Sequence, residues 1–132
     1  MRSLILMVLI SQVLHATPLL TAIEQVESGG NALAVGDSGK AIGILQIHRC
    51  VLDDVNRAHG TKFRHHQMRG PHLSRVVFYR YIELWATEKR LGRPVTDEDR
   101  ARCWNGGPDG WKKDSTLCYW RKVKTQMEKI TR

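Results

Sequence analysis

The chain has 132 residues, of which 21 are Lys or Arg and 13 are Asp or Glu, giving a formal net charge of +8, and 42% are hydrophobic. This size and apolar content exclude a disordered or fibrous chain and predict one packed domain rather than two. The basic balance favours a polyanionic partner such as a cell wall, an acidic surface polymer or nucleic acid. Nucleic acid is not expected, because the sequence has neither a basic helix with the spacing of a groove reader nor an aromatic stacking motif.

The N-terminal segment, residues 1–16, is predicted to be a secretory signal peptide, which leaves 17–132 as the mature domain. It combines a single cation, Arg2, with an apolar run from Leu4 to Leu14 and a small residue, Ala16. The run is short and interrupted, so no stable membrane insertion is expected after cleavage, with an uncleaved anchor as the alternative. Cleavage removes Arg2, leaves a net charge of +7 and exports the protein to the periplasm or the medium.

The first mature helix is predicted from Thr17 and Pro18 to about Ser28, where two glycines stop it. Glu27 lies on the apolar arc of this helix, whereas Glu24 lies just outside the arc and is expected in solvent. Burial disfavours a charged carboxylate, so Glu27 is predicted to keep its proton to a higher pH than a free Glu, as a general acid requires. The alternative is a surface residue at a fraying helix end. The other members of the arc are Leu19, Leu20, Ile23 and Val26.

The rest of the chain is predicted to be mainly helical. Five glycines from Gly29 to Gly43 forbid a long helix there and predict an extended region as the wall that faces Glu27. Alternation in 40–47 is compatible with a short strand or an extended turn. The polar segment 59–71 is predicted to be a solvated loop, because its histidines lack the spacing of metal ligands. Further helices are predicted in 48–58, 74–91, 96–104 and from Ser115 onward.

Three cysteines follow the predicted cleavage point, so at most one internal disulfide can form. Cys103 closes one predicted helix and Cys118 opens the next, and a bridge between them is the preferred pairing. Cys50 lies close to His48, but no regular element aims both side chains at one point. A half-buried structural cysteine is therefore the favoured interpretation of Cys50.

Four short motifs occur in a fixed order: ES at 27–28, GDSGKAIGILQI at 36–47, WNGGP at 104–108 and TLCYWRKV at 116–123. This series resembles the lysozyme-like superfamily, namely soluble lytic transglycosylases and goose-type lysozymes, from about Leu20 to Val123. The resemblance implies a lysozyme-like α+β fold and cleavage of the β-1,4 bond between N-acetylmuramic acid and N-acetylglucosamine in peptidoglycan. It further implies that glycan strands are the partner, that the protein is a monomer and that no metal or organic cofactor is needed.

The resemblance also implies roles for five residues. Glu27 corresponds to the catalytic acid, and Gln46 to the glutamine that shapes the site beside the scissile sugar. Asn105 and Gly106 correspond to the element that crosses the groove. Tyr119 corresponds to a tyrosine that orients the acid, and a core residue with a satisfied hydroxyl is the alternative.

The reaction implied by the resemblance depends on Asp37. In a lytic transglycosylase the 6-hydroxyl of the sugar attacks, Glu27 acts first as acid and then as base, and the products carry 1,6-anhydro ends. In a lysozyme-type hydrolase, Asp37 would be a second carboxylate that positions water. The transglycosylase is the preferred prediction and the hydrolase the alternative, while Asp37 as a plain turn former is compatible with the first. A more distant alternative is a non-catalytic module that binds cell wall or nucleic acid.

Overall fold

The computed structural model describes residues 16–132, so the predicted signal peptide lies almost entirely outside the described residues. Within 16–132 the chain is mainly helical with one small antiparallel sheet, and the predicted fold class is confirmed. No helix in this part of the chain has the length and apolarity needed to cross a membrane. The helices are α1 (Pro18–Ser28), α2 (Arg49–His59), α3 (Pro71–Trp85), α4 (Glu88–Leu91), α5 (Asp97–Gly106) and α6 (Leu117–Ile130), and the strands are β1 (Val35–Gly36) and β2 (Ala41–Ile42).

Helix α1 begins and ends where its local chemistry predicts. The Thr17 hydroxyl accepts a hydrogen bond from the Leu20 amide at 3.2 Å, and Pro18 occupies the first turn, where its missing N–H costs nothing. Gly29 ends the helix in the left-handed conformation, at φ 64°. Leu20 and Ile23 are fully buried, so the apolar arc of α1 faces the core.

The extended region forms a tight hairpin beside the end of α1. Val35 pairs with Ile42 and Gly36 with Ala41, and Ile42 also bridges to Ile47. Gly43 has φ 86°, and a Cβ atom there would overlap the backbone carbonyl of Met68. Glycine at this position therefore lets the hairpin lie directly on the turn His65–Arg69.

The structure corrects two boundaries in the middle of the chain. The helix predicted in 74–91 begins earlier, at Pro71, because proline fits the first turn. It also stops at Trp85, and Thr87 caps α4 separately by accepting from the Arg90 amide. The loop predicted in 59–71 is only partly solvated, because His65 is buried and its Nε2 donates to the Ile47 carbonyl oxygen at 2.6 Å.

Helix α1 packs mainly against α6. Beside it, Phe78 and Tyr81 of α3 contact Trp104 of α5 edge to face, with ring centroids 5.0 and 5.7 Å apart. Such pairs favour one relative orientation of the rings. They hold the end of α5, which carries the WNGGP motif, in a fixed position relative to the core.

The predicted disulfide is wrong, because Cys50, Cys103 and Cys118 are all free thiols. Cys103 faces inward from α5, with its sulfur 3.8 Å from the Pro108 carbonyl oxygen, while Cys118 is exposed on α6. One thiol is therefore enclosed by the core and the other faces solvent. The positions of Cys103 and Cys118 at neighbouring helix ends do not determine which side chain faces the core and which faces solvent.

Helix α5 starts on a buried carboxylate that is expected to make folding pH-dependent. Burial alone would raise the pKa of Asp99, but hydrogen bonds from Arg93 and Thr96 outweigh it and lower the pKa to about 2. A lowered pKa stabilises the fold above the unfolded-state pKa of about 3.9, and this contribution is lost as the pH falls toward 2. We therefore expect the melting temperature of the parent to fall more steeply between pH 4 and pH 2 than that of Asp99→Asn. Equal slopes in thermal unfolding would contradict this assignment.

Candidate functional site

Residues from three separate segments of the chain meet in one groove of about 250 Å³. Glu27 comes from the end of α1, Asp37 and Gln46 from the hairpin region, and Asn105 from the end of α5. Four of the six predicted site residues therefore line the same groove. The remaining lining residues are Ala41, His48, Val51 and Trp104.

Glu27 is held in the groove by Tyr119, whose hydroxyl donates to Glu27 Oε1 at 2.8 Å. Burial raises the pKa of Glu27 above its usual range, and hydrogen bonding to Tyr119 and Trp104 opposes the rise. Burial and the neighbouring Glu27 also raise the pKa of Tyr119, so its hydroxyl stays a hydrogen-bond donor. The groove thus contains a carboxyl group whose protonated form is favoured and that is able to donate to an oxygen atom placed beside it.

Ser28 fixes the end of α1 to the opposite wall of the groove. Its hydroxyl donates to the Ile44 carbonyl oxygen at 2.8 Å and accepts from the Asn31 amide at 3.1 Å. Ser28 is therefore a positioning residue for Glu27, a role that the motifs alone did not assign. The sequence signal for this role was a serine next to Glu27 at a helix end, where serine hydroxyls often form hydrogen bonds with the backbone.

Glu24 is buried, with 5% of its surface exposed, and the expectation that it lies in solvent is wrong. Arg75 of α3 donates to both of its carboxylate oxygens, from Nε at 2.7 Å and from Nη2 at 3.3 Å. The bidentate pair compensates the burial of the charge. It joins α1 to α3 one turn before Glu27, so Glu24 supports the site without facing the groove.

Gln46 builds the wall of the groove. Its Nε2 donates to the carbonyl oxygens of Ala34 at 3.2 Å and Gly43 at 3.0 Å, which uses both donor hydrogens. A Cβ at Gly36 would overlap Gln46 Oε1, so glycine is required on the facing strand. Gln46 therefore braces the hairpin, and a contact with a ligand, which remains a prediction, is limited to its Oε1.

Asp37 lies on the rim of the groove, where its Oδ2 is 3.4 Å from Nε2 of His48. Both side chains are exposed at this contact. Asp37 and Ser38 adopt left-handed backbone angles, with φ 51° and 55°, which non-glycine residues rarely do. Such strain is concentrated at functional sites, although a role for Asp37 in positioning water remains a prediction.

The structure separates the two residues of the Asn-Gly element. Asn105 is exposed at the groove, and its side chain makes no hydrogen bond within residues 16–132, so its amide is available to a ligand. Gly106 instead serves packing, because a Cβ there would overlap the methyl group of Thr116. Its carbonyl oxygen accepts from Lys113 at 2.8 Å, and a ligand contact at Gly106 remains a prediction.

Within the described part of the chain, no group of three or more His, Cys, Asp or Glu side chains is arranged to hold a metal ion.

Comparisons with known proteins give a match among solved structures. No protein-family model matches the chain, and no curated protein does. Among solved structures, a chain from the crystal structure of Aeromonas hydrophila PliI in complex with Meretrix lusoria lysozyme is similar, with 28% identity and a TM-score of 0.70. The match covers 86% of this chain and 90% of that chain, which is one component of a complex between two proteins.

This comparison corrects the predicted function. The matching structure is a complex of PliI with a lysozyme, so the comparison links this fold with binding between two proteins. This finding contradicts the predicted lytic transglycosylase, the alternative hydrolase and the assignment as an enzyme, and it does not support glycan strands as the partner. The resemblance to soluble lytic transglycosylases and goose-type lysozymes remains a prediction.

The raised pKa of Glu27 has a consequence for stability that does not depend on the ligand. The fold favours the protonated carboxyl, so its contribution to stability is full below the unfolded-state pKa and is lost as the pH rises through the folded-state pKa. Glu27→Gln keeps an oxygen that accepts from Tyr119 but carries no charge. At pH 7.5 we expect this variant to be more stable than the parent by about 0.5–2 kcal/mol, the usual range for a single stabilising substitution, because it removes a buried charge.

At pH 4 the parent and Glu27→Gln should melt at nearly the same temperature. Glu83→Gln, which changes an exposed residue of α3, is the matched control and should leave the melting temperature unchanged at both pH values. A lower melting temperature for Glu27→Gln at pH 7.5 would show that the charged carboxylate is the favoured form.

Proposed function

We propose that this chain acts by binding another protein, as one half of a complex of the PliI–lysozyme kind. The observation that carries the proposal is the match to a chain of that complex over 86% of this sequence. The compartment we propose is the periplasm or the cell exterior, in keeping with the predicted signal peptide.

The groove is the proposed contact surface. Because the groove is concave, the partner must insert a protruding loop into it. Two groups are available to pair with that loop: the carboxyl group of Glu27 inside the groove and the amide of Asn105 at its edge. A few well-placed polar groups within a concave surface are the usual basis of specific recognition.

An exposed apolar pair beside the groove supports a protein as the occupant. Leu33 and Val35 are 73% and 53% exposed. They flank Ala34, whose carbonyl oxygen accepts from the groove residue Gln46, so they lie next to the groove wall. Apolar side chains around a partly polar centre are typical of interaction sites between proteins.

The charge of the chain indicates what the partner surface should be like. With a net charge of +8, or +7 after the predicted cleavage, this chain associates fastest with an acidic surface. Exposed charges are screened over about 8 Å at physiological ionic strength. Binding is therefore expected to weaken as salt rises.

The direct test titrates the purified chain separately with A. hydrophila PliI and with M. lusoria lysozyme, the two proteins of the matched complex. The proposal expects a stable complex with one of them. Binding to neither would overturn it. Clearing of a peptidoglycan suspension by the chain alone, abolished in Glu27→Gln, would also overturn it, because the groove would then serve a glycan and the muramidase prediction would be restored.

A further inference from the structure

A second and larger cavity, of about 660 Å³, lies behind the strand that borders the groove. The two neighbouring residues of β2 face different sites, because Ala41 lines the groove and Ile42 lines the cavity. Helix α2 is divided in the same way, with Val51 at the groove and Leu52 at the cavity. The cavity is therefore a separate surface feature.

Two arginines of the cavity have no acidic partner. Arg49 and Arg64 are exposed and form no ion pair within residues 16–132. Six of the ten other arginines in residues 16–132 each lie within 4 Å of a carboxylate oxygen. These are Arg57, Arg75, Arg90, Arg93, Arg100 and Arg102. Two unpaired guanidinium groups at one cavity favour an anionic ligand, for which their planar donors are suited.

A third cation lies against the cavity wall. The guanidinium carbon of Arg80 is 5.5 Å from the centroid of the Phe63 ring, and Phe63 lines the cavity. Arg80 Nη1 is buried and has no hydrogen-bond partner in the described residues. Its charge is therefore screened less by solvent than that of a surface arginine, and it adds to the positive potential at this wall.

Four further lining residues indicate which kind of anion fits the cavity. Ile42, Leu52 and Phe63 give the cavity an apolar wall, which a small inorganic anion would leave uncovered. Asp53 also lines the cavity without an ion-pair partner among the described residues, so it disfavours a second negative charge and is available to accept from an N–H group. A single carboxylate on a scaffold that carries both apolar groups and amides satisfies all three features.

We propose that this cavity is a second binding site, for an acidic residue within a short peptide segment. Arg49 and Arg64 bind the carboxylate, the apolar wall contacts a neighbouring aliphatic side chain, and Asp53 accepts from a peptide N–H. The site does not depend on the proposed function of the groove.

The test uses three probes in NMR titrations of the ¹⁵N-labelled chain: N-acetyl-Leu-Glu amide, its uncharged analogue N-acetyl-Leu-Gln amide, and inorganic phosphate. The Glu peptide should shift the amide signals of residues around Leu52 and Phe63, without shifting those of Glu27 and Asn105. It should bind roughly tenfold more tightly than the Gln peptide, the difference expected for a charge-assisted hydrogen bond.

The double variant Arg49→Gln/Arg64→Gln should weaken binding of the Glu peptide by roughly tenfold. Arg121→Gln, an exposed arginine on α6 outside the cavity, is the control and should leave binding unchanged. Both substituted arginines are exposed, and an unchanged amide spectrum elsewhere confirms that the double variant is folded. Equal affinity for the Glu and Gln peptides, equal affinity for phosphate, or loss of binding in Arg121→Gln would overturn the proposal.

Discussion

Gly43→Ala is expected to destabilise the fold by several kcal/mol, whereas Gly39→Ala should cost only about 1–2 kcal/mol. The two glycines have nearly the same backbone conformation, with φ 86° and 88°. They differ in their surroundings, because a Cβ at Gly43 would overlap the Met68 backbone carbonyl while a Cβ at Gly39 meets nothing within 4 Å. The left-handed conformation therefore costs both variants the same amount, and only Gly43→Ala must also displace backbone.

Urea unfolding of the parent and the two variants measures this difference. The carbonyl of Met68 is not free to move, because it also accepts from the Ser74 hydroxyl at 2.6 Å. We therefore expect Gly43→Ala to disturb the turn that carries Ile44 and Gln46, and with it the wall opposite Glu27. Equal losses of stability in the two alanine variants would show that Gly43 is not in close contact with the backbone of the turn His65–Arg69.

Much of the fold follows from local signals in the sequence. Thr17 and Pro18 start α1, Gly29 ends it, and Thr96 starts α5 by accepting from the Asp99 amide, all of which a cap-based prediction finds. The spread of glycines also predicts the extended region correctly. The helix boundaries share a cause, since each cap depends on residues within one helical turn of one another.

The errors concern contacts between distant parts of the chain. Helical periodicity places Glu24 in solvent, whereas its partner, Arg75, lies 51 residues away and holds it in the interior. The free thiols of Cys103 and Cys118 depend on which sides of α5 and α6 they occupy, which their positions at helix ends do not fix. Glu27 and Tyr119 are 92 residues apart, and only the resemblance to a known family pairs them without the structure.

The prediction of function failed for a different reason. An acid on an apolar helix face, followed by motifs that resemble those of glycosidases, predicts an enzyme. The structure does place that acid in a groove and hydrogen-bonds it to Tyr119. However, a buried carboxyl group determines which hydrogen bonds the groove is able to form and does not determine which molecule occupies it. The comparison links this fold to a complex between two proteins.

The central claim is that the Glu27 groove receives a protein partner, and a bulky residue at its edge tests this most directly. Asn105→Trp places a large side chain at the groove, while Thr125→Trp places the same side chain on the exposed face of α6 as the control. Isothermal titration calorimetry of the parent and both variants, with A. hydrophila PliI and with M. lusoria lysozyme, is the measurement. We predict that the parent and Thr125→Trp bind one of the two proteins with equal affinity. Asn105→Trp should bind it at least roughly a hundredfold more weakly, a loss as large as that of a hot-spot residue, because the bulky side chain blocks the groove. Undiminished binding by Asn105→Trp, or no binding by the parent to either protein, would contradict the account.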